Sequence, residues 1–428
     1  MKKLLIVSLA ITFLLALVPM ASAQGATKVA CTEDYTVQAN DWLSKLSDKY
    51  FNDVLAYWAI QDATNAAGAP YATIKDPNVI EIGWKLCVPS KDDAVKLLAA
   101  KGLKLGATAA PAAAAGGKAY KIALVPKGAG NPYFDAVHKG ADEAAKELGD
   151  TMIFQAPATA DAAGQIEIVN ALIAQKPDVI GVSANDGDAL APAGKKAMDA
   201  GVKVISWDSA IAPSGRILNE NQANSELVGR AQVQMMYDMI GGAGDVAILS
   251  AGATMTNQNT WIKWMQEELK DPKYKDINLV ATVYGDDDRQ KSINEAQGLF
   301  KTYPNLKGII SPTSVGIAAA AKALQDAGLC GKVQLTGLGL PSELRDYVKN
   351  DCIKAFGLWN PIDQGYLTTY ISHRLAAGEI KGVAGETFRA GRMGEYKIVD
   401  TGNGDLQVYQ GPPFKFDKTN IDSPAASF

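Results

Sequence analysis

The residues best equipped for chemistry in this chain stand at the ends of apolar runs. The run Lys203 to Trp207 reads as a buried strand and delivers a carboxylate, Asp208, at its tip. An ammonium, Lys127, follows the run Tyr120 to Pro126, and the amides Asn257 and Gln258 follow Asp245 to Ser250. Pro312 and Ser314 come after Gly308 to Ser311, Asp186 after Val179 to Ser183, and Asn360 after Ala355 to Trp359. Planar carboxylates and amides hold hydrogen bonds in fixed geometry, which suits the hydroxyl groups of a small uncharged polyol. Phe134 or Tyr133, with Trp359, could supply a ring for the C–H face of such a ligand. The set predicts binding rather than bond-making.

A second chemistry uses the same residues. Asp208 with Asp186 or Asp286 could form the carboxylate pair of a glycosidase, and turnover of a glycoside would separate that reading from binding. Only two histidines occur, His138 and His373, both within amphipathic helical stretches, which argues against a catalytic triad or a histidine metal site. Gly128 and Gly130 lack the third glycine of a dinucleotide fingerprint, so no cofactor is expected. A net charge of −4 and a pI near 5.5 disfavour nucleic acid, which calls for a basic face. Plainer roles compete at several positions. Asp186 or Asp188 could cap a helix, residues 256–261 could be a polar loop, residues 285–288 a solvated helix start, and Trp359 a core residue.

Positioning these tips requires strands alternating with helices. Nine strands are expected: the four ending before Lys127, Ala156, Ala184 and Asp208, then Asp245 to Ser250, Leu279 to Tyr284, Gly308 to Ser311, Val333 to Thr336 and Ala355 to Trp359. Between two of them, Val137, Ala141, Ala144, Ala145 and Leu148 recur with helical period. That alternation gives doubly wound parallel α/β sheets. Roughly 300 residues exceed one comfortable core, so two hinged lobes are expected, about 120–209 and 215–350, with the chain crossing back afterwards. Ligands in such sheets sit outside the carboxyl ends of the strands.

Before this region the sequence divides further. Lys2 and Lys3, an apolar run from Leu4 to Met20 and Ala21-Ser22-Ala23 form a signal-peptide pattern over residues 1–23, which implies export. Residues 31–98 read as a small strand-helix-helix-strand module. Residues 99–117, ending rich in Ala, Pro and Gly, read as a linker, and residues 118–428 as the two-lobed domain. Four cysteines allow three pairings. Cys31 with Cys87 and Cys330 with Cys352 keep each bridge within one segment, as an oxidising compartment permits; buried free thiols are the alternative.

Two resemblances sharpen the reading. Tyr35-Thr36-Val37 with Asn40-Asp41, and Ile82-Gly83-Trp84-Lys85-Leu86 with Val88-Pro89, resemble the LysM family, which would add peptidoglycan as a partner. From Lys118 onwards, Val204 to Ser209, Thr256 to Asn259, Val283 to Asp287, Thr336 to Glu343, Trp359 to Asp363 and Ala390 to Gly394 resemble the type I periplasmic sugar-binding proteins of ABC transporters. The rhamnose-binding family is most similar, and the autoinducer-2 receptors come next. The resemblance implies a two-lobed trap, a monomer, that hands a sugar intact to a membrane permease. By analogy with the autoinducer-2 receptors it places Lys127, Asp208, Asn257, Gln258, Pro312 and Ser314 against the ligand. Asn257 replaces an Asp of those receptors and Ser314 an Ala, which favours a deoxyhexose.

Overall fold

The structure is a computed structural model that describes residues 30–38, 41, 43–51, 56–74, 80, 83–100, 118–423 and 426–428. The expected signal peptide, Asn40, Trp42, Ile82 and most of the linker lie outside the described residues.

The N-terminal module follows the expected order. Strand β1 (Cys31–Thr36) leads to helices α1 (Leu43–Phe51) and α2 (Tyr57–Ala67), then to β2 (Lys85–Pro89), which pairs antiparallel with β1. Leu43, Leu46, Phe51, Ala59, Ile60 and Leu86 close a small core of their own. Cys31 and Cys87 are disulfide-bonded, tying the two strands where so small a core gives limited stability. One helix was not anticipated: α3 (Lys91–Ala100) continues the module into the stretch read as linker. Ser90 starts it by accepting a hydrogen bond from the Asp93 N–H at 3.1 Å, the N-cap role its side chain favours.

All nine expected strands of the larger region are present, shifted by a residue or two. Lobe one holds β3 (Lys121–Val125), α4 (Pro132–Leu148), β4 (Thr151–Phe154), α5 (Ala162–Gln175), β5 (Val179–Val182), α6 (Gly187–Asp199) and β6 (Lys203–Trp207). The chain then adds β7 (Asn219–Asn221), parallel to β6. This corrects the expected boundary at 215: β7 is too short and polar to read as a strand, yet it belongs to lobe one. Lobe two follows, with α7 (Ser225–Ile240), β8 (Gly244–Ser250), α8 (Thr256–Glu268), β9 (Ile277–Tyr284), α9 (Arg289–Thr302), β10 (Leu306–Ser311), α10 (Ser314–Asp326), β11 (Gln334–Gly337), α11 (Pro341–Lys349) and β12 (Ala355–Leu358). Its four central strands run in the order β11-β10-β8-β9, all parallel. Cys330 and Cys352 are bonded on this lobe.

After β12 the chain returns to lobe one as α12 (Pro361–Ala377), which packs against α4. The two backbones nearly touch. A Cβ on Gly140 would lie 1.8 Å from the Ile362 carbonyl oxygen, and one on Gly365 would lie 1.9 Å from that of Val137; only glycine fits either place. Beyond a small hairpin of β13 (Thr387–Arg389) and β14 (Glu395–Lys397), strands β15 (Val399–Asp400) and β16 (Leu406–Tyr409) extend the lobe-one sheet to β15-β16-β7-β6-β5-β3-β4. The chain then crosses once more, and β17 (Phe414–Asp417) pairs with β12 in lobe two. Three crossings, after β7, after β12 and after β16, therefore join the lobes, as a hinge needs. An apolar cluster spans them, running from Phe134 and Trp207 to Trp359 and Trp261.

Candidate functional site

Lys127 leaves β3 at a turn that is pinned from behind. Gln165 of α5 donates from Nε2 to the carbonyls of Pro126 (2.9 Å) and Ser183 (2.7 Å). It also accepts from the Asn185 N–H at 2.9 Å, and the Asn185 amide donates to the Lys127 carbonyl at 2.7 Å. Asn131 caps α4 by accepting from the Tyr133 N–H, and Pro132 occupies the first helical position, where its missing N–H is harmless.

Asp208 projects from the end of β6 with φ of +58°, a left-handed conformation that Asp tolerates better than most residues. Its N–H donates to the Glu220 carbonyl of β7 at 3.1 Å. The carboxylate is saturated. Oδ2 accepts from Ser183 Oγ at 2.5 Å and stands 3.2 Å from Lys127 Nζ. Oδ1 accepts from Gln222 Nε2 at 2.7 Å and Asn257 Nδ2 at 3.0 Å. Both charged side chains are buried, 3% and 5% exposed, so their pairing and bonds are what keep them tolerable there.

Lobe two answers from the first turn of α8. The run 256–261, which could have been a loop, is helix, and Asn257 and Gln258 meet Lys127 Nζ with their side-chain oxygens at 3.0 and 3.4 Å. Ser314 Oγ lies 3.5 Å from Asn131 Oδ1, and Thr254 donates to the Asn185 carbonyl at 3.0 Å. The cleft is thus closed, with groups of one lobe satisfying groups of the other. Between them remains a cavity of about 30 Å³, room for about one or two water molecules. A monosaccharide enters only with the lobes parted.

Of the sequence-predicted set, Lys127, Phe134, Asp208, Asn257, Gln258, Pro312 and Ser314 all line this cavity. Two do not. Asp186 is the N-cap of α6, accepting from the N–H groups of Asp188 (3.1 Å) and Ala189 (2.9 Å). It borders a larger polar groove of about 680 Å³ towards β7 and β16, whose lining also includes Asp208 and Asn257. Asn360 is likewise the N-cap of α12, accepting from Ile362 and Asp363. In both cases the cap satisfies backbone donors that the helix leaves free, and that task holds the side chain. Asp186→Ala should therefore leave ligand affinity within about twofold while lowering stability by roughly 1 kcal/mol, measured by calorimetric titration and chemical denaturation.

Of the carboxylates weighed for a glycosidase, Asp186 and Asp208 border one groove, but each is engaged by other bonds. Asp186 serves its cap, and Asp286 is exposed and ion-paired with Lys291. Among the described residues no cluster of His, Cys, Asp and Glu could hold a metal ion.

Asp287, Gln364 and Glu220 escaped the sequence reading, whereas Tyr133 and Trp359 were among its candidates. Asp287 lines the cavity, although the acidic run 285–288 resembles any solvated helix start. Trp359 lies between the two expected roles: it lines the cavity, is buried, and donates from Nε1 to Tyr133 Oη at 2.6 Å. Tyr133 in turn bonds Gln364 of α12. Burial and the nearby Asp208 charge raise the Tyr133 hydroxyl well above its ordinary pKa, so it stays neutral. Gln364 donates to Glu220 Oε2 at 2.9 Å. Burial pushes the Glu220 carboxyl up to about 8.

Comparison with known proteins agrees with this geometry. Residues 122–380, more than half of the chain, match the periplasmic binding protein domain. An ABC transporter solute-binding protein from Clostridium phytofermentas, solved with bound L-rhamnose, is 40% identical. The match covers 73% of this chain and 99% of that one, with a TM-score of 0.71. LsrB from Clostridium saccharobutylicum in complex with AI-2 is 26% identical over 70% of this chain and 98% of its own, with a TM-score of 0.67. The D-allose-binding periplasmic protein of Escherichia coli (strain K12) is 26% identical over 292 residues, 66% of this chain and 91% of that protein. With two doubly wound lobes, three crossings and a polar cavity between strand tips, this chain belongs to the periplasmic binding protein family of sugar-binding transport components and is not an enzyme.

Proposed function

We propose that this chain is the extracytoplasmic binding subunit of an ABC importer and that it captures L-rhamnose or a closely related deoxyhexose. The observation that carries the reading is the buried Lys127–Asp208 pair, faced by the amides of Asn257 and Gln258 across a cavity small enough to exclude bulk water. Charge-assisted bonds from Lys127 and Asp208 would hold ring hydroxyls, while the amides both donate and accept. The cavity is also lined by Leu338, Leu358, Phe134 and Trp261, apolar surface that suits the methyl group distinguishing a deoxyhexose from a hexose. The 40% identity to a relative solved with L-rhamnose supports the same choice.

Capture would proceed by closure. In the open form the cross-lobe bonds of Lys127 and Asn257 are broken. Sugar then bridges the lobes and favours the closed state through contacts the open state lacks. The closed complex would dock on a membrane permease, the partner that a binding subunit of an ABC importer serves. Residues 1–23 would direct export and be removed, and the LysM-like module would tether the trap to peptidoglycan. The disulfides accord with an oxidising compartment.

A second reading, binding of autoinducer-2, is favoured by Lys127, Asp208, Gln258 and Pro312, which keep the residue types of those receptors and all line the cavity. A thermal-shift screen with rhamnose, fucose, galactose, ribose and autoinducer-2 tests both, because a ligand of the native state raises the melting temperature. Rhamnose is expected to give the largest shift. A larger shift with autoinducer-2 would select the second reading, and no shift with any of them would remove both.

A further inference from the structure

Three consecutive aspartates follow β9, and the fold gives each a different task. Asp286 pairs with Lys291 at the surface, and Asp288 caps α9 by accepting from the Lys291 N–H at 2.6 Å. Asp287 turns inward. Asp286 and Asp287 both adopt left-handed backbone, at φ of +52° and +51°, a conformation uncommon outside glycine that marks places where the surroundings fix the chain. The turn leaves Asp287 lining the cavity, with Thr313 Oγ1 donating to its Oδ1 at 2.5 Å.

Asp208 and Asp287 face the same cavity in different states. The four acceptor sites of Asp208 are filled by Ser183, Lys127, Gln222 and Asn257, about the capacity of a carboxylate. Among the described residues Asp287 receives one hydrogen bond, from Thr313; burial raises its carboxyl above the usual carboxylate range, and the nearby Lys127 charge opposes that shift. It therefore retains acceptor capacity towards the ligand. Two carboxylates against one ammonium also leave the cavity net negative, and a carboxylate facing the ligand accepts from a hydroxyl but repels an anion.

We propose that Asp287 is a specificity-determining residue of lobe two, which accepts a hydrogen bond from a sugar hydroxyl and confines the site to uncharged sugars, excluding uronates and sugar phosphates. The inference rests on the sugar-trap reading above. It assigns the charge selection to a residue of β9's tip rather than to the saturated Asp208.

The test is calorimetric titration of wild type, Asp287→Asn, Asp287→Ala and the surface control Asp286→Asn with L-rhamnose and D-galacturonate. Should another neutral sugar from the thermal-shift screen bind more tightly, it takes the place of L-rhamnose. Asparagine keeps the shape and tolerates the left-handed backbone, so it reports on charge even if the alanine variant folds poorly. Expected are at least tenfold weaker sugar binding in Asp287→Asn, no change in Asp286→Asn, and wild type that takes the neutral sugar and not galacturonate. Sugar affinity within twofold of wild type in both Asp287 variants overturns the inference, as does wild-type binding of galacturonate as tight as the neutral sugar. Wild type silent towards every neutral sugar is a distinct failure: it removes the trap reading itself.

Discussion

Asp208→Asn should weaken sugar binding by between tenfold and a thousandfold, read as the calorimetric Kd at neutral pH. The lower bound follows from losing one hydrogen bond to a charged group, about 1.5 kcal/mol, at about 1.4 kcal/mol per decade of affinity. The upper bound follows from stranding its partner. Lys127 is almost wholly buried, and removing one member of a buried pair costs about 3–5 kcal/mol. Asn257 and Gln258 still offer Lys127 their oxygens, so the full penalty is not expected. The substitution also inverts one side of a donor shell. Ser183, Gln222 and Asn257 all donate to the carboxylate, and the new NH₂ must face one of those sides. Asparagine is the informative replacement because it accepts the left-handed backbone at this position, whereas alanine would add strain. An unchanged Kd would take Asp208 out of the site.

The same shell explains how the empty trap and the loaded one compete. Asn257 binds Asp208, and Lys127 binds Asn257, across the cleft. A sugar must displace those bonds before it gains its own. Affinity therefore measures the difference between two sets of contacts to the same groups, and a variant that weakens the cross-lobe bonds alone shifts the closing equilibrium without touching the ligand.

The sequence exposed the frame of this site and hid its refinements, for identifiable reasons. Apolar runs ending in polar residues are visible because both faces of a central parallel strand are buried; the partly buried β4 and β9 and the antiparallel β12 were found by their apolar composition alone. Lys127 and Asp208 were legible because a charge directly after such a run has little choice but to face the crevice. Asp186 and Asn360 stand at equivalent points and were drawn in by the same logic. What separates them is the helix beginning at the next residue, whose free N–H groups claim the side chain first. Strand β7 was missed because Asn219, Glu220 and Asn221 have no apolar pattern; its place comes from pairing with β6 and β16. Asp287 was passed over because three adjacent aspartates are equivalent in sequence, and only the left-handed turn sorts them into surface pair, cavity wall and cap. The fit of Gly140 and Gly365 against a backbone more than two hundred residues away is likewise a tertiary fact with no local signal.

Glu220→Gln should raise stability at pH 7.5 by about 2–4 kcal/mol, an effect that vanishes near pH 4.5. Glu220 is fully buried in the hinge strand β7. Oε2 accepts from Gln364 and, at 3.4 Å, from Thr368, while Oε1 has no hydrogen-bond partner among the described residues. Burial dominates and Asp208 adds a repulsive charge, which together lift its pKa from an ordinary 4.5 to about 8. Linkage fixes the sign. Between those two values the folded chain holds the proton and the unfolded chain releases it, so stability falls as pH rises through the window and levels off above about 8. Every pH unit between the two values costs about 1.4 kcal/mol, which sets the ceiling at about 4–5 kcal/mol. Glutamine keeps the acceptor for Gln364 and Thr368 but carries no charge, so the variant escapes the decline. Denaturation of both proteins from pH 4.5 to 9 tests this, with curves expected to meet at the acid end and diverge steadily towards pH 8. Parallel curves across the range would mean that Glu220 ionises in the folded chain as readily as in the unfolded one, and the hinge would then hold a buried charge rather than a buried acid.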